Sequence, residues 1–125
     1  MELERRERVY RAGLGPLDMN GKNVILVDDG LATGSTMLAA IRAAHRAAAA
    51  TIIVAAPVAS RDSAKLIRAE ADATVILEIP TTFLAIGEWY RNFEQLDDAE
   101  VCRLLELSRQ PVGDSHRQIP TAAET

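Results

Sequence analysis

Two adjacent carboxylates, Asp28 and Asp29, end the apolar run Val24-Ile25-Leu26-Val27, and a loop of glycines and hydroxyls follows: Gly30-Leu31-Ala32-Thr33-Gly34-Ser35-Thr36. Short hydroxyl side chains, with backbone amides that glycine lets come close, suit a phosphate, because they donate hydrogen bonds at short range. Two carboxylates repel a phosphate and must face something else, either hydroxyls or a cation. A ligand carrying both a phosphate and a diol satisfies both halves of the stretch.

The surrounding pattern says how these residues are held. The run over 23–28 predicts a strand, and residues 33–48 a helix, with Thr33 as its cap and Met37, Leu38, Ile41 and Ala44 along one face. Residues 51–58 predict a second apolar strand, 60–71 a second helix, and 74–79 a third strand stopping before Pro80. Apolar strands separated by single helices are the mark of βαβ units on a parallel sheet covered on both faces, so the fold class is α/β with a parallel βαβαβ core. In such sheets ligands bind beyond the carboxyl ends of the strands, where Asp28 and Asp29 fall. The loop then enters a helix whose first amides lack internal partners and whose dipole attracts anions.

Composition narrows the function. The 125 residues, 48% hydrophobic and 26% charged, fit one compact domain. A net charge of -4 at pH 7 argues against broad binding of nucleic acid, which needs a basic face. The acids and arginines of residues 2–11 read as the solvated face of a helix. No apolar run approaches the roughly 20 residues that span a bilayer, and the N-terminus is too charged for a secretory signal, so no membrane partner is expected and a cytoplasmic location is. The single cysteine, Cys102, sits among apolar residues at helical spacing and is expected to be a buried, inert thiol; no metal site is expected from the side chains. Arg61 and Asp62 read as a surface ion pair. His45 and His116 have no partner acid at a telling spacing, so no general base can be named.

Two phosphate or acid-pair motifs fail on particular residues. A Walker A loop needs a lysine before its Ser or Thr, and this loop has none. A response-regulator receiver needs a phosphoacceptor Asp at the end of a later strand, where this chain has Pro57-Val58 and Glu78-Ile79-Pro80.

The stretch VILVDDGLATGST instead resembles the phosphoribosyl pyrophosphate motif of type I phosphoribosyltransferases at every defining position. The resemblance implies that Asp28 and Asp29 hold the ribose 2- and 3-hydroxyls and act catalytically, favouring positive charge on the sugar ring. It implies that Ala32, Thr33, Gly34, Ser35 and Thr36 hold the 5-phosphate. Mg2+ is the implied cofactor, bound mainly through the substrate, which suits a hard cation that keeps its waters and takes few protein ligands. The implied partners are phosphoribosyl pyrophosphate and an unknown nitrogenous acceptor such as a nucleobase.

Residues 2–108 as a whole look like the later half of a group of bacterial phosphoribosyltransferases of undefined substrate. Within them TTFLAIGEWYRNF is loosely similar to the base-stacking region of 6-oxopurine transferases, which makes Phe83, Trp89 and Tyr90 candidates for an acceptor wall. The acid of that purine pattern has no counterpart here, so purine specificity does not follow. The resulting organisation is a partial domain over 1–108, with a helix over 1–12, the core over 23–79 and an aromatic segment and helix over 80–108, then a mobile tail over 109–125.

The family's earlier half, which binds pyrophosphate, has no counterpart in residues 1–23. In a doubly wound sheet of order 2-1-3-4-5 this chain would supply strands 3, 4 and 5, leaving an inner strand as an edge. Such an edge invites pairing. A homo-oligomer, or pairing with a separate N-terminal half, is therefore expected. The alternative function is a non-catalytic phosphoribosyl or nucleotide-binding regulator, or one part of a longer enzyme.

Overall fold

The computed structural model describes residues 2–110, apart from the side chain of Leu3. Two compact units divide them: one holds the N-terminal helix α1 (Glu2–Tyr10) and the C-terminal helix α4 (Asp98–Arg109), and the other is Pro16–Glu94. Residues 111–125 of the expected tail lie outside the described residues, as does His116.

In the helical unit, α1 carries Glu2 and Glu4 in its first turn and Arg8 in its last, the charge order that a helix dipole favours. Asp97 caps α4 by accepting a hydrogen bond from the Glu100 amide at 2.8 Å. The two helices meet at Asp98, which accepts from Arg5 at 2.6 Å and from the Tyr10 hydroxyl at 2.7 Å. The Arg5 guanidinium, and then Tyr10, hold the Asp98 carboxyl below its usual range. Cys102 is half-buried rather than buried, with its Sγ 3.8 Å from the Val9 carbonyl oxygen. The reason is that α4 has no fully buried residue, so its apolar spacing does not amount to a core position.

The larger unit runs β1 (Asn23–Val27), α2 (Ser35–Arg46), β2 (Thr51–Val58), α3 (Arg61–Glu70) and β3 (Ala73–Glu78), and the strands form a parallel sheet in the order β1-β2-β3. The α/β class and the βαβαβ order agree with the sequence. The core lies on one side of the sheet: Ile52, Val54 and Ala56 of β2 pack with Met37, Ile41 and Ala44 of α2 and with Ala64 and Ile67 of α3.

Among the described residues, nothing covers the opposite side, contrary to the expectation of a sheet buried on both faces. Ile25 and Val27 are 61% and 72% exposed there, and Val75 and Leu77 are 54% and 73% exposed. The cause is topological. Parallel crossovers share one hand, so two consecutive crossovers that step in the same direction put both helices on the same face. Continuous apolar runs record that both faces of these strands are built for burial, but not which face this part of the chain covers.

Helix α2 also ends before its alanine run does. The Ala49 amide donates to the Ala44 carbonyl at 3.1 Å and the Ala48 amide to that of His45 at 3.0 Å, the paired bonds of a Schellman motif. Ala48 consequently has φ 57, a left-handed conformation that glycine normally fills. Relief of left-handed strain outweighs the added freedom of the unfolded chain, so Ala48→Gly is expected to raise stability by about 0.5–1 kcal/mol. A higher urea midpoint with an unchanged slope is the signature; a lower one contradicts the assignment.

Candidate functional site

At the end of β1 the Asp28 amide still follows the ladder, donating to the Ala55 carbonyl at 3.2 Å, and the chain then leaves the sheet. Asp28 turns its carboxylate back onto the next amide, with Asp29 N donating to Asp28 Oδ1 at 2.9 Å. The chain next returns to the top of β2: Leu31 bridges to Ala59, its amide donates to the Val58 carbonyl and its carbonyl accepts from the Ser60 amide, both at 2.9 Å. Leu31 is buried, and this anchor fixes where the loop begins.

The loop ends at Gly34, the N-cap of α2, with φ 77 and ψ 0, and no side chain caps the helix. Thr33, expected as the cap, sits one residue earlier. Its Oγ1 lies 3.2 Å from Ser35 Oγ and accepts only a long 3.4 Å bond from the Ser35 amide. The left-handed turn at Gly34 puts Thr33 out of capping position, which leaves the helix N-terminus open to an outside acceptor.

Acid pair, loop and helix start enclose one pocket of about 220 Å³, lined by Asp28, Asp29, every residue from Gly30 to Met37, and Ile86. Asp28 is half-buried and Asp29 exposed. Burial, chiefly, and the neighbouring Asp29 charge push the Asp28 carboxyl above its usual range, against the lowering effect of the Asp29 amide. The pocket thus opposes hydrogen-bond donors and a helix dipole to a pair of hard oxygen acceptors. Among the described residues, no cluster of three or more His, Cys, Asp or Glu is placed to hold a metal ion.

The structure therefore brings together Asp28, Asp29, Ala32, Thr33, Gly34, Ser35 and Thr36. It does not bring the aromatic residues to the pocket wall: Phe83 and Trp89 do not line it, and Trp89 is 44% exposed. Tyr90 acts from behind, its hydroxyl donating to the Asp29 carbonyl oxygen at 2.5 Å while its ring pairs with Phe93, centroids 5.0 Å apart. Burial, chiefly, and the two nearby aspartates raise the Tyr90 phenol above its usual range.

The wall residue that sequence reasoning missed is Ile86, in the 3-10 turn Ile86–Trp89. A Cβ at Gly30 would lie 2.7 Å from Ile86 Cγ2, so the space Gly30 leaves admits that side chain. Nothing in the local spelling of the loop announces a contact over that separation. Arg61, expected to pair with Asp62, instead points its guanidinium at Thr81 Oγ1, 3.5 Å away. The His45 ring lies 3.4 Å from the Glu70 carbonyl oxygen, on the outside of α2.

Tyr90→Phe keeps the ring pair and removes the bond to Asp29. A loss of about 1 kcal/mol in urea unfolding is expected, the usual net worth of such a bond. A loss near zero would show that the bond adds nothing to the folded state.

Comparison with known proteins agrees with this geometry. Residues 5–94 match the family described as the phosphoribosyl transferase domain. Two Mycobacterium tuberculosis proteins, named "Putative phosphoribosyl transferase Rv0571c" and "Putative phosphoribosyl transferase MT0597", are each 34% identical over 115 residues, which is 92% of this chain and 26% of theirs. The crystal structure of TT1426 from Thermus thermophilus superposes with a TM-score of 0.71 at 35% identity, covering 82% of this chain and 47% of that one. This chain thus spans about a quarter of the curated relatives' length and about half of the solved chain. With the strand, acid pair and loop in the order the motif requires, and the family match running over most of its length, the chain belongs to the phosphoribosyl transferase domain family.

Proposed function

We propose that the pocket binds 5-phosphoribosyl 1-pyrophosphate and takes part in transferring ribose 5-phosphate to a nitrogenous acceptor such as a nucleobase. The observation that carries this reading is the acid pair facing an uncapped helix N-terminus across one pocket, since such a pocket matches a ligand with a phosphate at one end and a diol at the other. The amides and hydroxyls from Ala32 to Thr36 hold the 5-phosphate. Asp28 and Asp29 accept the ribose hydroxyls and stabilise the positive charge that develops as the bond from C1 to the pyrophosphate oxygen breaks and a bond from C1 to nitrogen forms. Pyrophosphate leaves with the electron pair, and the acceptor nitrogen gives up its proton.

Hard carboxylate oxygens at an open rim suit Mg2+, which takes one or two protein carboxylates and keeps the rest of its shell for water and substrate phosphates. The ion would be held mainly through the substrate's oxygens, with Asp29, the more exposed acid, the side chain open to its remaining shell. The ion, when bound, neutralises charge on the leaving pyrophosphate.

The proposed partner is a protein segment that closes the sheet. β1 is an edge of the described sheet, and its exposed apolar face adjoins that edge. The solved T. thermophilus chain carries about as much sequence again as the match covers, and a complementary segment of that kind is the occupant we propose. Sedimentation of the purified chain tests this: a monomer at every concentration fits it, and a dimer abolished by Val27→Lys would name a second copy instead.

Calorimetric titration with phosphoribosyl pyrophosphate and magnesium, beside ribose 5-phosphate, tests the functional reading. Binding of either ligand that depends on the acid pair is expected. Heats indistinguishable from dilution for both would overturn the reading.

A further inference from the structure

Two serines outside the motif hold its loop. Ser60 is the N-cap of α3, its Oγ accepting from the Ser63 amide at 3.2 Å, and Ser63 is 1% exposed. Ser63 Oγ donates to the Leu31 carbonyl at 2.5 Å, a carbonyl that also accepts from the Ser60 amide at 2.9 Å, while Ser60 Oγ shares its one proton between the Ala32 carbonyl at 2.7 Å and Ser63 Oγ at 2.8 Å. Two consecutive carbonyls of the loop are thus drawn toward α3 by hydroxyls that the helix cap itself orients.

In a trans peptide the C=O and N–H point in opposite directions. Fixing the Leu31 carbonyl toward α3 turns the Ala32 amide away from it, and fixing the Ala32 carbonyl does the same for Thr33. Both residues line the pocket, and neither amide has an acceptor among the described residues. Ser63 also backs the turn that follows, since a Cβ at Gly34 would lie 3.2 Å from its own Cβ.

We propose that Ser60 and Ser63 are positioning residues that aim the Ala32 and Thr33 amides at the ligand phosphate. The proposal rests on the reading of the loop as a phosphate site. It gives the start of α3 a part in binding although none of its residues lines the pocket. The buried hydroxyl of Ser63 then has a purpose beyond its own helix: together with the Ser60 amide it holds the Leu31–Ala32 peptide in one orientation, so that ligand binding does not have to order it.

The test is titration of ribose 5-phosphate into the wild type and into Ser63→Ala, Ser60→Ala, Ser60→Thr and Ile67→Val. Losing either hydroxyl should weaken binding by about 5- to 10-fold, the worth of one hydrogen bond. Ser60→Thr keeps both cap and donor and should restore affinity. Ile67→Val loosens the same helix from within the core, away from the loop, and should leave affinity unchanged while lowering stability.

Wild-type affinity in both alanine variants overturns the positioning role and leaves the phosphate reading standing. A Ser60→Thr variant as weak as Ser60→Ala overturns it for Ser60. A wild type that binds no ribose 5-phosphate overturns both together.

Discussion

Gly34→Ala is expected to lower ribose 5-phosphate affinity on the order of a hundredfold while the protein still folds. Gly34 has φ 77, where an L-residue costs about 1–2 kcal/mol, and its new Cβ would stand 3.2 Å from Ser63 Cβ, tighter than ordinary contact. The loop must either keep the turn under strain or leave it. Leaving it swings the Ser35 and Thr36 amides off the pocket axis, and hydrogen bonds to a charged group are worth about 1.5–3 kcal/mol each. Urea unfolding and calorimetry separate the two consequences. A stability loss of about 1–2 kcal/mol with full affinity retained would mean that the turn shapes the loop but not the anion site.

The Asp28→Asn/Asp29→Asn double variant should lose ribose 5-phosphate binding on the order of a thousandfold, since two charge-assisted hydrogen bonds to the diol become neutral ones or fail. Transfer of ribose, wherever the complete enzyme is assayed, should fall further, because the developing positive charge on the ring then has no fixed anion beside it. Retained affinity in the double variant would remove the acids from the site.

Stability should move the other way for Asp28 alone. Its carboxyl is pushed above the usual range by burial first and by Asp29 after that. A raised folded-state pKa favours the fold below the unfolded-state value, and that contribution is lost as pH rises through the raised value. At neutral pH the ionised Asp28 is therefore a cost to the fold, and Asp28→Asn should melt higher than the wild type. The gap should close as pH is lowered below the ordinary range of an aspartate. Wild-type affinity should fall over the same descent, as Asp28 takes up a proton and ceases to be a charged acceptor. A variant that melts lower at neutral pH would show that Asp28 is held by favourable contacts rather than tolerated for binding.

The sequence by itself determined the order and type of the strands and helices of the sheet unit and the place of the acid pair and its loop. Val24 to Val27, Thr51 to Val58 and Ala73 to Glu78 are strands because their apolar, β-branched spelling fits nothing else of that length. The acid pair and loop fall between a strand and a helix, so their position at the carboxyl end of the sheet follows from chain order alone. These are local facts, carried by neighbours in the chain.

Only the tertiary structure decided which face of the sheet is covered, how α2 begins and what stands around the pocket. The bare face of Ile25, Val27, Val75 and Leu77 depends on the direction in which consecutive crossovers step, which no strand records in its own residues. The N-cap passed from Thr33 to Gly34 because Leu31 is tied to Val58 and Ser60, an anchor between distant parts of the chain that sets where the turn must fall. Ile86 beside Gly30, Tyr90 behind Asp29 and Ser63 beneath Leu31 are contacts across about 30 to 60 residues. Their side chains are ordinary by type, and a periodic pattern reports only what each residue does for its own element. What they do for the site exists only once the strands are side by side.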